Sequence, residues 1–494
     1  MNKVSLLFII TVFLFLSAFT SELNALNPYT EPYRPQFHFS PEKGWIGDPS
    51  GLIYYRGNYQ MFWWGKVIST DLVYYRQESP KVMNGDDGTI SYFTGSVAVD
   101  KNNTAGFGEN ELIAAYTVFN KATKSQAQGI SYSNDGLVFN YYKGNPVLDI
   151  GSTEFRDPTV FRDESTSKWI MVVAKALEKK IKFYSSPDLK KWTWMSDFGP
   201  GEATEKAWEC PDLIQLPVDE NSNNRKWVLI VSFDWAHEQY FIGNFDGTSF
   251  KKDQHQPDTP LYVDRGLDFY ASRTFRDYDH VLKSTTSIGW IATWDYAQLV
   301  PSAWGKGFWS IPRDLELKTF PEGIRLIQKP IENLKVLRTS PVSYTSKLPK
   351  GTSKLSKFAP QENIYEIDAT FSTKTTNVFG FNLCVGDGRK VSFSYDTQSE
   401  TLIIDRTNCS NVPIDKFSRT TSAKVIPVNK EIRMHFYVDK SSIELFTNEG
   451  KDVFTLLTYP AENQVGIETF AEKDGTKMTL NAWKLNSIWK QKRN

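Results

Sequence analysis

A short turn motif recurs along the first half of the chain and constrains its fold more than any other feature. It places a small polar residue two positions before an aspartate, with a core aromatic following. It reads Ser69-Thr70-Asp71-Leu72-Val73-Tyr74-Tyr75, then Ser133-Asn134-Asp135-Gly136-Leu137-Val138-Phe139, then Ser186-Pro187-Asp188-Leu189-Lys190-Lys191-Trp192, and more loosely Asn244-Phe245-Asp246-Gly247-Thr248-Ser249-Phe250. The copies lie roughly 50–65 residues apart, which leaves room for about four short strands each, the period of a β-propeller blade. Between them run short alternating apolar segments, such as Lys168-Trp169-Ile170-Met171-Val172-Val173-Ala174 and Lys226-Trp227-Val228-Leu229-Ile230-Val231. Side chains alternate between faces along a strand, so these segments predict strands. Helical periodicity is confined to the N-terminal apolar run, and the chain is expected to be all-β.

The region 30–335 has room for five blades, which predicts a five-bladed β-propeller catalytic domain. Around 331–350 the sequence turns Lys- and Pro-containing and loosely patterned. Strand-like runs then resume, as in Tyr365-Glu366-Ile367-Asp368-Ala369-Thr370-Phe371, without the blade repeat. A C-terminal β-sandwich over 350–494 is expected. The first 25 residues, with Lys3 ahead of a long apolar run and a cut expected after Ala25, read as a signal peptide. The expected location is therefore secreted or extracytoplasmic, with no membrane association after signal removal.

Lys+Arg and Asp+Glu both number 57. That balance argues against nucleic acid as a partner and suits a neutral substrate. Five histidines in no HxH or HExxH pattern argue against a catalytic zinc, and no metal or cofactor is expected. Of three cysteines, Cys384 and Cys409 are candidates for a disulfide in an oxidising compartment, which leaves Cys210 alone.

Three acids stand in unusual local sequences: Asp48 in Trp45-Ile46-Gly47-Asp48-Pro49-Ser50-Gly51, Asp157 in Phe155-Arg156-Asp157-Pro158, and Glu209 in Trp208-Glu209-Cys210-Pro211-Asp212. Singly, each also reads as an ordinary turn or strand end. Together, each precedes a repeat aspartate, which predicts that all three open a blade and converge at one mouth of the channel. Two carboxyl groups in different protonation states are what glycoside hydrolysis requires, held about 5–5.5 Å apart in retaining enzymes. Trp208 and Cys210 are expected to give Glu209 an apolar setting that raises its pKa, and Arg156 to keep Asp157 ionised.

These motifs resemble glycoside hydrolase family 32, the invertases, levanases and inulinases. The family's Trp-Met-Asn-Asp-Pro-Asn-Gly, Arg-Asp-Pro and Glu-Cys hallmarks are similar to 45–51, 156–158 and 209–210. Phe93-Thr94-Gly95-Ser96, the Trp64-Gly65 segment, Asp268-Phe269-Tyr270-Ala271-Ser272, Ile288-Gly289-Trp290 and 438–446 extend the likeness over nearly the whole mature chain. The resemblance implies a retaining mechanism, with Asp48 as nucleophile, Glu209 as acid/base and Asp157 binding fructose hydroxyls. It also implies a fructose pocket shaped by Trp45, Trp64, Phe93, Thr94, Arg156 and, more loosely, Trp290. Two departures stand out. Gly47 replaces the family's Asn before the nucleophile, and a stretch carrying a pocket Gln is missing where Trp63 runs into Trp64 and Gly65.

The expected substrate is a small or polymeric fructoside (sucrose, levan or inulin type). Fructosyl transfer through the same covalent intermediate, an arabinan- or xylan-type substrate, and fructan binding without catalysis are the alternatives the residues leave open. Exo or endo action, linkage preference and oligomeric state are not encoded in the motifs.

Overall fold

The computed structural model describes residues 29–490 apart from positions 64, 79–80, 86 and 255–259, so the leader read at 1–25 lies outside the described residues. The remainder is almost wholly strand, as alternation without helical periodicity predicts. Five four-stranded units succeed one another. They begin with Gly51–Tyr55, Ile90–Asp100, Phe155–Asp163, Trp208–Val218 and Tyr270–Thr274, here blades I to V, and each continues outward as an antiparallel sheet. Blades IV and V are joined by a parallel bridge from Val218 to Leu317.

The recurring motif is the turn between the third and fourth strands of blades I to IV. In each, one carboxylate oxygen accepts two backbone N–H bonds: Asp71 from Val73 and Tyr74, Asp135 from Leu137 and Val138, Asp188 from Lys190 and Lys191, Asp246 from Thr248 and Ser249. A short acidic side chain can stand in for a backbone turn in this way. Blade V turns instead through Pro321 and Glu322, between Arg313–Phe320 and Gly323–Pro330, so it carries no fifth copy. Apolar faces pack between blades: Ile170, Phe183, Trp208, Leu229 and Phe241 fill the space between blades III and IV.

The C-terminal part is a sandwich of two six-stranded sheets. Its inner faces alternate as a half-buried strand requires, with Phe371, Phe379, Phe381, Phe393 and Phe436 fully buried. The loosely patterned stretch near 331–350 is not simply a linker. Arg338–Lys347 pairs with Lys477–Leu485 as the edge strand of one sheet, bulged between Thr339 and Val342 where Pro341 sits. Hardly any of its side chains are buried, so it has no apolar alternation to betray it, and Pro is tolerated at an edge or bulge.

Propeller and sandwich meet through buried charge. His38 stands between Asp439 (Nδ1 to Oδ2, 2.8 Å) and Glu444 (Nε2 to Oε1, 2.7 Å). Arg313 of blade V bonds Glu444, Asp264 and Thr455, and Arg406 bonds Asp268 and Tyr296. Cys384 and Cys409 are buried free thiols, as is Cys210, so the candidate disulfide is not formed.

Candidate active site

The innermost strands of blades II to V share one irregularity near their start. Pairing with the second strand slips between Phe93 and Gly95, Arg156 and Thr159, Glu209 and Asp212, and Tyr270 and Arg273. In blades III to V the slipped residue is Asp157, Cys210 or Ala271, each left-handed with φ of 64°, 50° and 54°. Non-glycine residues rarely adopt this conformation, and it concentrates at functional sites. The bulge re-aims side chains where blade ends meet, and so brings residues far apart in sequence together. In blade II the slip needs Gly95, because a Cβ there would stand 1.9 Å from the Ala115 carbonyl oxygen.

Asp48 precedes the first strand of blade I and is half-buried. Its Oδ2 accepts the Thr94 hydroxyl at 2.6 Å and faces the Cys210 thiol at 3.7 Å, while Oδ1 has no protein partner. Asp157 is buried, and its Oδ2 accepts the Cys210 N–H at 3.2 Å and faces the same thiol at 3.6 Å. One cysteine therefore links two of the acids. Glu209 is gripped on both oxygens, by Arg156 Nε at 2.7 Å and by the Tyr270 hydroxyl at 2.5 Å.

Burial raises the pKa of Asp48. The charge of Glu209 adds to the rise, and the Thr94 bond and Arg273 oppose it. Burial also raises that of Asp157, with Glu209 and Asp48 adding and Arg156 and Arg273 opposing. Three carboxyl groups this close, and partly desolvated, cannot all ionise freely.

Two expectations about these environments need correction. Arg156 does not serve Asp157: its guanidinium bonds Glu209, Glu154 and Gln126, because it projects from the residue before the bulge, on the side of the site where Glu209 lies. Its charge on Asp157 is outweighed by burial. Nor is Glu209 set in an apolar nest. Trp208 points into the core between blades III and IV and bonds the Ala203 carbonyl, and the immediate partners of Glu209 are the polar groups of Arg156 and Tyr270.

Among the residues expected to shape a pocket, Thr94 touches Asp48, and Phe93 stacks on Phe119 at 4.9 Å. Trp64 lies outside the described residues. Trp290 is fully buried, edge-on beneath Trp45 and Trp294, so it supports the aromatic layer instead of facing solvent. The aromatic that does reach solvent is Trp294, 45% exposed and stacked on Trp45, with Trp235 beside it at 38%. Trp45 also bears on the missing Asn: a Cβ on Gly47 would stand 3.0 Å from the Trp45 indole nitrogen, so the indole N–H occupies the space beside that position. Sequence reasoning passed over Tyr270, Trp294 and Arg273. The first lies in a segment quoted only for its likeness, and Trp294 four residues beyond Trp290. Among the described residues no group of three His, Cys, Asp or Glu side chains is placed to hold a metal ion.

A propeller mouth that gathers three carboxyl groups beside an aromatic cluster has the arrangement that a glycoside hydrolase requires. The chain belongs to glycosyl hydrolases family 32: the family's N-terminal domain matches residues 38–330 and its C-terminal domain residues 333–484. A levanase of Bacillus subtilis (strain 168) is 36% identical over 502 residues, covering 96% of this chain and 73% of that protein. An extracellular exo-inulinase of Aspergillus awamori is 30% identical over 519 residues, covering 93% and 96%. The crystal structure of exo-inulinase from Aspergillus awamori superimposes with a TM-score of 0.86 at 29% identity, over 93% of this chain and 100% of that one. β-Fructofuranosidase from Schwanniomyces occidentalis, complexed with fructosyl-erythritol, gives a TM-score of 0.79 at 28% identity, over 93% and 99%.

Proposed function

We propose that the protein is a retaining hydrolase that releases fructose from the non-reducing ends of β-D-fructofuranosides, with Asp48 as nucleophile, Glu209 as acid/base and Asp157 as the group that holds fructose hydroxyls. The observation that carries this reading is the asymmetric holding of Asp48. Thr94 fixes one oxygen, and the other is buried and takes no hydrogen bond from the protein, which leaves its lone pairs for a bond to carbon. In the first step Oδ1 of Asp48 bonds the anomeric carbon while the glycosidic C–O bond breaks and Glu209 gives its proton to the leaving oxygen. In the second step Glu209 takes a proton from water, the hydroxide displaces Asp48, and fructose leaves with its configuration retained. Arg156 and Tyr270 keep Glu209 in one place through both transfers. Asp157, buried and with its pKa raised, is suited to exchange hydrogen bonds with sugar hydroxyls in either protonation state.

Trp294, exposed and stacked on Trp45 three residues before Asp48, offers an apolar face of the kind that packs against sugar C–H patches, which favours a substrate extending beyond the cleaved bond. The levanase and exo-inulinase names of the relatives support a fructan as that substrate. Export is supported by the leader pattern at 1–25 and by the extracellular designation of the inulinase relatives.

The test is sugar release from sucrose, inulin and levan, each supplied separately to wild type and to Glu209→Gln. Free fructose from wild type is expected, with at least a roughly hundredfold loss of kcat in the variant. No fructose from any of the three, or full activity in Glu209→Gln, contradicts the reading. Longer oligosaccharides as the main product assign the same chemistry to transfer.

A further inference from the structure

One layer below the carboxyl groups the channel narrows to a gap lined by Gly51, Ser96, Thr159, Asp212, Arg273 and Thr274. Asp212 is fully satisfied there: Thr274 gives it an N–H and a hydroxyl bond, at 2.9 and 2.7 Å, and Arg276 pairs with its other oxygen. Arg273, on the same strand of blade V, is different. It is 3% exposed and makes one hydrogen bond, from Nη1 to the Pro211 carbonyl at 2.6 Å, while Nε and Nη2 have no partner. A buried guanidinium so thinly bonded is costly unless nearby anions compensate it. Asp212 is already neutralised by Arg276. Glu238 is held by Ser232 and Ser272 through three hydrogen bonds. Arg156, the other cation of the site, is committed to Glu209 and Glu154.

The anions that remain for Arg273 are buried Glu238, whose serine bonds leave its charge in place, and those of the active site. We infer that Arg273 is a positioning residue: from the channel floor its charge opposes the burial that would otherwise neutralise Asp48 and Asp157, and so keeps the nucleophile anionic. The effect runs through space, since no hydrogen bond joins Arg273 to either acid. The charge of Arg273 acts on Asp48 before blade I, Asp157 of blade III and Cys210 and Glu238 of blade IV; Asp212 and Arg276 line the same gap, and Glu209, Arg156 and Tyr270 are packed about the acids themselves. Among the described residues, blade II lines the gap with uncharged Gly95, Ser96 and Val97. Its field lowers the pKa of both Asp48 and Asp157, in keeping with that placement.

The inference rests on the nucleophile assignment above, and two measurements on the full chain test it. The first is the pH profile of kcat/KM for fructose release by wild type, Arg273→Gln and Arg273→Lys. Loss of a nearby cation raises a carboxyl pKa, so the acid limb moves up by about one pH unit or more in Arg273→Gln and returns toward wild type in Arg273→Lys. The second needs no activity: the loss of Tm caused by Arg273→Gln is smaller in an Asp157→Asn background, where less negative charge is left uncompensated. A folded Arg273→Gln with an unmoved acid limb overturns the inference. So does an equal loss of Tm, or a failure to fold, in both backgrounds. If wild type releases no fructose, the function assignment fails, while the Tm cycle still decides the charge coupling.

Discussion

Asp48 owes its state to a contest in which burial and the charge of Glu209 favour the neutral acid, while the Thr94 hydroxyl bond, the charge of Arg273 and the Cys210 thiol oppose them. Replacing Thr94 with Val removes that bond and little volume. The Asp48 pKa then rises, so the acid limb of kcat/KM moves to higher pH, and the rate falls about tenfold at the wild-type optimum, the worth of one hydrogen bond to a charged group. An unchanged limb in Thr94→Val would mean that the titrating group is not Asp48. At this scale the acids were legible because each sits in a distinctive local sequence. Which partner serves which acid was not. Thr94, expected as a pocket residue, bonds Asp48. Cys210 and Tyr270 meet the acids only because blade ends converge around a channel, and Arg156 beside Asp157 in sequence serves Glu209 in space.

Blade construction was largely written in the turns. The Asx turn is local, formed by an aspartate and the next few backbone N–H groups, so it survives in sequence as a visible repeat. Asp188→Ala deletes two such bonds and should cost about 1 kcal/mol, seen as a small fall in Tm with kcat unchanged. A fall in kcat without loss of Tm would show that the turn does more than close the blade. The bulges that aim Asp157, Cys210 and Ala271 left no comparable signature, because a left-handed residue that is not glycine is chosen by its neighbours in space. The edge strand Arg338–Lys347 escaped notice for the opposite reason, having almost nothing to bury.

Over the whole molecule, catalytic propeller and sandwich are fastened by ionic groups that lie some four hundred residues apart, as His38 and Asp439 do (separation 401), and no local pattern announces them. Burial alone would lower the pKa of His38, but its bonds and charge interactions with Asp439 and Glu444 reverse this and raise it to about 9. The folded value exceeds the unfolded one, so protonation stabilises the fold fully below about pH 6.5, and this contribution is lost as pH rises through about 9. His38→Gln is expected to cost roughly 3 kcal/mol at pH 6, and the gap in Tm between wild type and variant should close toward pH 9. A gap independent of pH would show that the imidazole is held neutral.

The central claim, that Asp48 forms the covalent bond to fructose, is tested most directly by acid-quenching the enzyme during turnover and mapping the fructosyl adduct by peptide mass. The account predicts the adduct on the peptide containing Asp48, its absence in Asp48→Asn, and a loss of roughly a thousandfold or more in fructose release by that variant. An adduct on another residue, or near-normal release by Asp48→Asn, would contradict it.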